Sequence, residues 1–198
     1  EVKFSEQEGG VVYYRFGEVD LEGITFDIVG YSEKADQFVM IEKENVNYAQ
    51  RGLKAGVKAP QFTENSLSNG SIALNNYQDK YVLLDFWGTW CGPCLTETPY
   101  LEKAYKKFGD AVQFIGIAVD NKERLIEYLK EKKIDWPQIY IPENSKQQSP
   151  LIQKYNVYGY PSMYLISPEG KIMIGPENQH RLRGDALSET LSKVLSNE

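Results

Sequence analysis

The stretch Tyr81-Val82-Leu83-Leu84-Asp85-Phe86-Trp87 is an almost unbroken apolar run, and a cysteine pair in the order Trp90-Cys91-Gly92-Pro93-Cys94 follows it closely. A run of strand length without polar alternation predicts a strand covered on both faces, the situation of a central strand in a parallel sheet. Covering both faces takes helices on both sides, so this one feature points to a layered α/β fold. One residue breaks the pattern. Asp85 sits in the middle of the run, where an unpaired carboxylate is costly, so it is expected to be neutral or hydrogen-bonded.

The rest of the chain after the run alternates helix and strand. Leu101, Ala104, Tyr105 and Phe108 recur at helical spacing within 95–108, and Gly109-Asp110 ends that helix. Residues 111–119 read as a second buried strand. Asp120, with Glu123 three positions on, resembles a capping box opening a helix that runs to residue 133. Residues 139–141 predict a short edge strand, 149–155 a short helix and Ser162–Ile166 a further strand. Ser167-Pro168-Glu169-Gly170 predicts a tight turn into a strand over 171–174, and 185–195 a closing helix. The sum is a central mixed sheet with helices on both faces.

Residues 1–50 differ in character. Short aromatic and β-branched stretches at 11–16, 24–28 and 38–41, separated by turns at 20–23 and 32–36, predict a small antiparallel meander. Such a β-rich appendage serves packing, with dimerisation or partner binding as the functional alternative. Residues 51–56 read as a connector opening a main domain over 51–198, whose first strands are expected at 57–62 and 71–74 around a polar loop at 65–70.

Composition narrows the chemistry. With two cysteines in the chain, a multi-bridge disulfide scaffold is excluded. Together with the single His180 they supply at most three of the usual nitrogen and sulfur donors, so no metal site is expected. His180 lies in the polar run 177–181 and reads as part of a solvated loop. A net charge of −6 argues against nucleic acid and anionic membrane surfaces as partners. No apolar run reaches the roughly 20 residues of a membrane span, while a signal or lipid anchor ahead of Glu1 is compatible with the sequence.

Attention therefore falls on the one cysteine pair. Two thiols separated by two residues at a helix N-terminus can bond to each other, and the helix aims N–H groups and its positive dipole end at the first sulfur. That setting favours thiolate. Cys91, first and expected to be the more exposed, is read as the nucleophile. Cys94, one turn further in, is read as the thiol that resolves a mixed disulfide. Against an inert buried pair stands the context of a preceding buried strand, a following helix and flanking Trp90. No organic cofactor is needed, because the dithiol and its disulfide carry the electrons.

The segment Asp85-Phe86-Trp87-Gly88-Thr89-Trp90-Cys91-Gly92-Pro93-Cys94 closely resembles the active-site segment of the thioredoxin superfamily. From about residue 56 to 195 the chain resembles the TlpA-like and ResA-like branch, of AhpC/TSA-redoxin type, whose members are extracytoplasmic bacterial thiol reductases. Val57-Lys58-Ala59-Pro60-Gln61-Phe62 is similar to the opening of that branch's domain, and Pro168-Glu169-Gly170-Lys171-Ile172 to its late hairpin. Residues 1–50 lie outside the resemblance. It implies a thioredoxin fold and reduction of protein disulfides, apocytochromes among the possible substrates. It further implies an upstream thiol electron donor and a periplasmic or envelope-anchored location.

Residue by residue, the resemblance marks Pro161, in Tyr158-Gly159-Tyr160-Pro161-Ser162, as a cis-proline facing the dithiol. It places Trp90, Gly92, Pro93 and Tyr160 along the substrate groove and makes Asp85 a proton shuttle for Cys94. Glu97 matches the acidic residue that the branch places near its dithiol and is, with Asp85, a candidate general base, the plainer alternative being a solvated charge on the helix surface. Two other functions compete: a thiol peroxidase, although no Thr-x-x-Cys segment is present, and a binding module with an incidental dithiol. Gly92-Pro93 is similar to reducing thioredoxins, but the motif does not write the direction of electron flow.

Overall fold

The computed structural model describes residues 53–68 and 70–196, and in the N-terminal region the backbone of five strands. Those strands are β1 (Lys3–Phe4), β2 (Tyr13–Tyr14), β3 (Gly17–Leu21), β4 (Ile24–Ser32) and β5 (Gln37–Glu42). The chain divides into two compact units, Glu1–Tyr48 and Ala49–Glu198. In the first, β1 pairs with β2, and β3, β4 and β5 form an antiparallel meander. The strand expected over 11–16 is described only at Tyr13–Tyr14, its other residues lying outside the described ones. Part of each stretch expected as a turn is strand, the rest lying outside the described residues. Asp20 and Leu21 pair with Thr25 and Ile24, and Ser32 pairs with Gln37, because the backbone ladder carries polar residues as readily as apolar ones.

The second unit opens with a small hairpin of β6 (Thr63–Asn65) and β7 (Ser71–Ala73). The strand expected over 57–62 is instead irregular backbone with an isolated bridge, Lys58 to Lys171. Ala59 donates its N–H to the Gly170 carbonyl, but Pro60 has no N–H to continue the ladder. Beyond the hairpin come β8 (Tyr81–Trp87), α1 (Gly92–Phe108), β9 (Val112–Asp120) and α2 (Lys122–Lys132). They are followed by β10 (Gln138–Pro142), α3 (Pro150–Lys154), β11 (Ser162–Ile166), β12 (Ile172–Ile174) and α4 (Asp185–Ser196).

These strands form one mixed sheet in the order β10-β9-β8-β11-β12, with β8 in the middle. It runs parallel to β9 and antiparallel to β11, and every one of its residues is buried. Alternation along β8 sends its side chains into two cores. Val82, Leu84 and Phe86 pack with Phe62, Leu74, Ile152 and Tyr155, the face covered by α3 and the opening segment. Leu83 packs with Leu101 and Ala104 of α1 and Leu187 and Leu191 of α4. Trp87, on that same face, packs with Leu125 of α2 and with both cysteines. The crossovers β8-α1-β9 and β9-α2-β10 step in one direction across the sheet, so right-handed connection puts α1 and α2 on one face. The chain has a thioredoxin fold.

Helix α1 opens at Gly92, within the cysteine pair as expected, since Pro93 is tolerated in a first turn whose N–H groups have no intrahelical partner. The start of α2 differs from expectation. Helix α2 is capped by Asn121, whose side chain accepts from the Arg124 N–H at 3.1 Å, not by Asp120. Asp120 pairs with Pro142 as the last residue of β9 and is fully buried. The run expected as a solvated loop around His180 is a 3-10 turn over Pro176–Leu182, with His180 exposed.

A tight fit secures β8 to the sheet edge. Trp87 donates its Nε1 to Gln138 Oε1 at 3.1 Å, and Gln138 reaches that position by lying over Gly116, where an added Cβ would meet its Oε1 at 2.0 Å. Gly116→Ala is therefore expected to push the Gln138 amide aside and leave the buried indole N–H without its acceptor, costing about 1–2 kcal/mol in chemical denaturation.

Candidate active site

The dithiol sits where β8 passes into α1. Cys91 is extended (φ −92°, ψ 96°) and forms the N-cap of α1, its Sγ accepting from the Cys94 N–H at 3.2 Å. In the structure the two sulfurs are joined as a disulfide. Once it is reduced, the same N–H and the helix dipole stabilise negative charge on Cys91. The expectation that Cys91 would be the more exposed has little geometric support: it is 5% exposed and Cys94 3%. What separates the two sulfurs is the cap position.

The short loop ahead of Cys91 is held at several points. Thr89 donates through both its N–H and its hydroxyl to the Asp120 carboxylate, and Trp90 Nε1 donates to the Val119 carbonyl at 2.7 Å. Arg124 closes the arrangement through Nη2 on Asp120 at 2.9 Å. Gly88 permits this approach, since a Cβ there would lie 2.6 Å from both Trp90 Nε1 and the Val119 carbonyl. Asp120 thus braces the active-site loop, a role hidden in the sequence behind its resemblance to a helix cap.

Across from the dithiol, the Tyr160–Pro161 peptide bond is cis. Tyr160 packs on the group formed by Trp87, Cys91 and Cys94, and its ring meets that of Trp90 edge-on, centroids 5.3 Å apart. Trp90 is 41% exposed, and Gly92 and Pro93 are exposed beside it. The four residues expected along the groove and Pro161 are thereby brought to one place. Burial pushes the Tyr160 phenol up to about 12, so it stays protonated near neutrality.

Asp85 lies on the same face of β8 as Trp87, between Gly116 and Met163 of the neighbouring strands. It is buried, and its Oδ1 has no hydrogen-bond partner among the described residues. Burial first, and the negative charge of Glu97 second, push its carboxyl up to about 7, while the Arg183 guanidinium pulls the other way. Of the two expectations for Asp85, neutrality is the one this environment favours below neutral pH.

Glu97 is half-buried and anchored, its Oε2 accepting from the Gly184 N–H at 2.7 Å, which sets aside the alternative of a free surface charge. Arg183, the next residue back, donates from Nη2 to the Pro161 carbonyl at 2.6 Å. Residues 183 and 184 therefore tie together α1, the cis-proline loop and the charge around Asp85. The sequence carries no signal for Arg183, since an arginine ahead of a helix has no motif.

Residues 55–174 match the AhpC/TSA family. The chain belongs to that family. Among relatives of this AhpC/TSA member is thiol-disulfide oxidoreductase ResA of Bacillus cereus, 31% identical over 137 residues that cover 67% of this chain and 76% of the relative. ResA of Bacillus subtilis is 30% identical over 126 residues, 63% of this chain and 68% of the relative. Among solved structures, the thioredoxin domain of a thiol-disulfide oxidoreductase from Bacteroides vulgatus is 35% identical with a TM-score of 0.63, covering 72% of this chain and 98% of that domain. The resemblance to the TlpA-like and ResA-like branch of the thioredoxin superfamily is thus established. Arg183 lies beyond the matched span.

Two expectations follow from the electrostatics. Folding raises the Asp85 carboxyl from an ordinary value near 4 to about 7, so the folded state binds this proton more tightly than the unfolded one. The contribution of Asp85 to stability is then full below about pH 4 and is lost, by up to about 4 kcal/mol, as pH rises from there through 7. Asp85→Asn removes that decline: urea midpoints of variant and native protein should nearly coincide at pH 4 and favour the variant at pH 8. Arg183→Met removes the lowering influence, so carboxyl carbon NMR should show Asp85 titrating higher in the variant.

Proposed function

We propose that this protein reduces disulfides in protein substrates by dithiol exchange at Cys91 and Cys94. The observation that carries the reading is the capped Cys91 sulfur at the start of α1, opposite the cis Tyr160–Pro161 bond. Thiol-disulfide oxidoreductases among the relatives support it.

In the reduced protein, the Cys91 thiolate attacks one sulfur of the substrate disulfide. A Cys91–substrate disulfide forms and the other substrate sulfur leaves as thiolate. Cys94 then loses its proton and attacks Cys91 Sγ, closing the Cys91–Cys94 disulfide and releasing the second substrate sulfur. Two electrons have passed to the substrate. Asp85, ionising near neutrality on the face of β8 that meets the cysteines, is the acceptor for the Cys94 proton, and Glu97 sets the charge around it. Trp90, Gly92, Pro93, Tyr160 and Pro161 line the groove for the extended substrate chain. An upstream thiol donor returns the disulfide to dithiol, with no metal or organic cofactor in the cycle. The ResA-like resemblance supports work outside the cytoplasm, with cytochrome maturation as the setting.

Cys91→Ser is expected to abolish reduction of a protein disulfide, while Cys94→Ser accumulates the mixed disulfide, seen as a mass increase equal to the substrate. The reduction potential of the couple should fall near or below that of thioredoxin, about −270 mV. A value near about −120 mV would reassign the protein to oxidation, and hydroperoxide consumption without disulfide exchange would make it a peroxidase.

A further inference from the structure

Between β10 and α3 the chain makes a 3-10 turn over Glu143–Gln148, and this turn carries Lys146 over the rings of Tyr160 and Trp90. Its Nζ stands 4.4 Å from the centroid of the Tyr160 ring and 5.5 Å from that of Trp90. One of these aromatic residues precedes Cys91 and the other precedes the cis-proline, so the cation lies over the pair of rings that links the two loops.

The neighbouring carboxylates do not neutralise it. Asp120 and Glu143 both face Arg124, at 2.9 and 3.7 Å, and among the described residues no carboxylate pairs with Lys146. An ammonium held against two aromatic faces has already lost part of its hydration and freedom. Pairing with an incoming anion then costs less ordering than for a lysine free in solvent.

We propose that Lys146 is a specificity-determining residue that favours polypeptide disulfides flanked by acidic side chains, a substrate carboxylate pairing with Nζ as the chain lies across Trp90 and Tyr160. The inference rests on disulfide exchange at Cys91 as set out above. It runs against the chain's net charge of −6, which by itself would draw basic polypeptides. Distance decides between the two effects. At physiological salt, charges beyond about 8 Å are largely screened, while Lys146 is in direct contact with the groove rings.

The test uses the reduced full-length protein and three synthetic peptides with the same intramolecular disulfide, flanked by Glu, Ser or Lys. At low salt the Glu peptide should exceed the Lys peptide in kcat/KM by about fivefold, the order of one exposed ion pair, and the ratio should shrink at high salt. Lys146→Arg should keep the preference and Lys146→Glu should reverse it. Because each ratio is taken within one protein sample, partial misfolding of a variant does not enter it. A preference unchanged in Lys146→Glu, equal rates for all three peptides, or a native preference for the Lys peptide overturns the role of Lys146 alone. Failure of the native protein to reduce any of the three overturns dithiol exchange, and the inference with it.

Discussion

The pairing of β8 on both edges, with apolar side chains buried on both faces, is the constraint on which the rest of this structure depends. A strand so enclosed leaves the sheet at a fixed point and in a fixed direction. The chain must turn at once into a helix to cover the face that Leu83 and Trp87 present, and that turn is where Cys91 lies. The active-site loop is correspondingly short and held by its surroundings, with Trp90 on the Val119 carbonyl and Thr89 on Asp120. A reactive sulfur on a freely moving loop would gain little from a helix dipole, whose influence fades within a turn.

Enclosure also creates the site's electrostatics. A carboxyl on the surface of this acidic protein would ionise in the usual range; the same group on β8 is pushed up to about 7 chiefly because it has left water. Glu97 and Arg183 then act on it in opposite senses. Neither is held there for that purpose alone. Glu97 accepts from the backbone of Gly184, and Arg183 supports the Pro161 carbonyl, so one stretch of backbone joins α1, the cis-proline loop and the charge around Asp85. Disturbing any of the three disturbs the setting of the others, which is the behaviour expected of a polar network in a place of low dielectric.

Much of this was open to inspection of the sequence, for a definite reason in each case. The run Tyr81–Trp87 announces a two-faced strand by its lack of alternation, and the C-x-x-C after it can lie only at the strand-to-helix turn. The family segment around Pro161 marks it, since local sequence alone gives no more than a small chance of a cis bond. At Asp120 a longer-range partner outweighs the local pattern. Asp120 has the spacing of a capping box, yet the β9 ladder runs through it and Thr89, 31 residues earlier, claims its carboxylate.

What the sequence alone determined is what period and spacing determine: the central strand, the redox pair at its end, the alternation of helix and strand, and a carboxylate in an apolar run. The tertiary structure decided which distant groups meet there. Glu97 reaches Gly184 across 87 positions, Arg183 reaches Pro161 across 22, and Lys146 arrives over Tyr160 and Trp90 from a turn with no motif of its own. Their roles come from proximity that only the closed fold creates, because a charge or a hydrogen bond acts over a few ångströms and the chain order of its partners leaves no periodic trace.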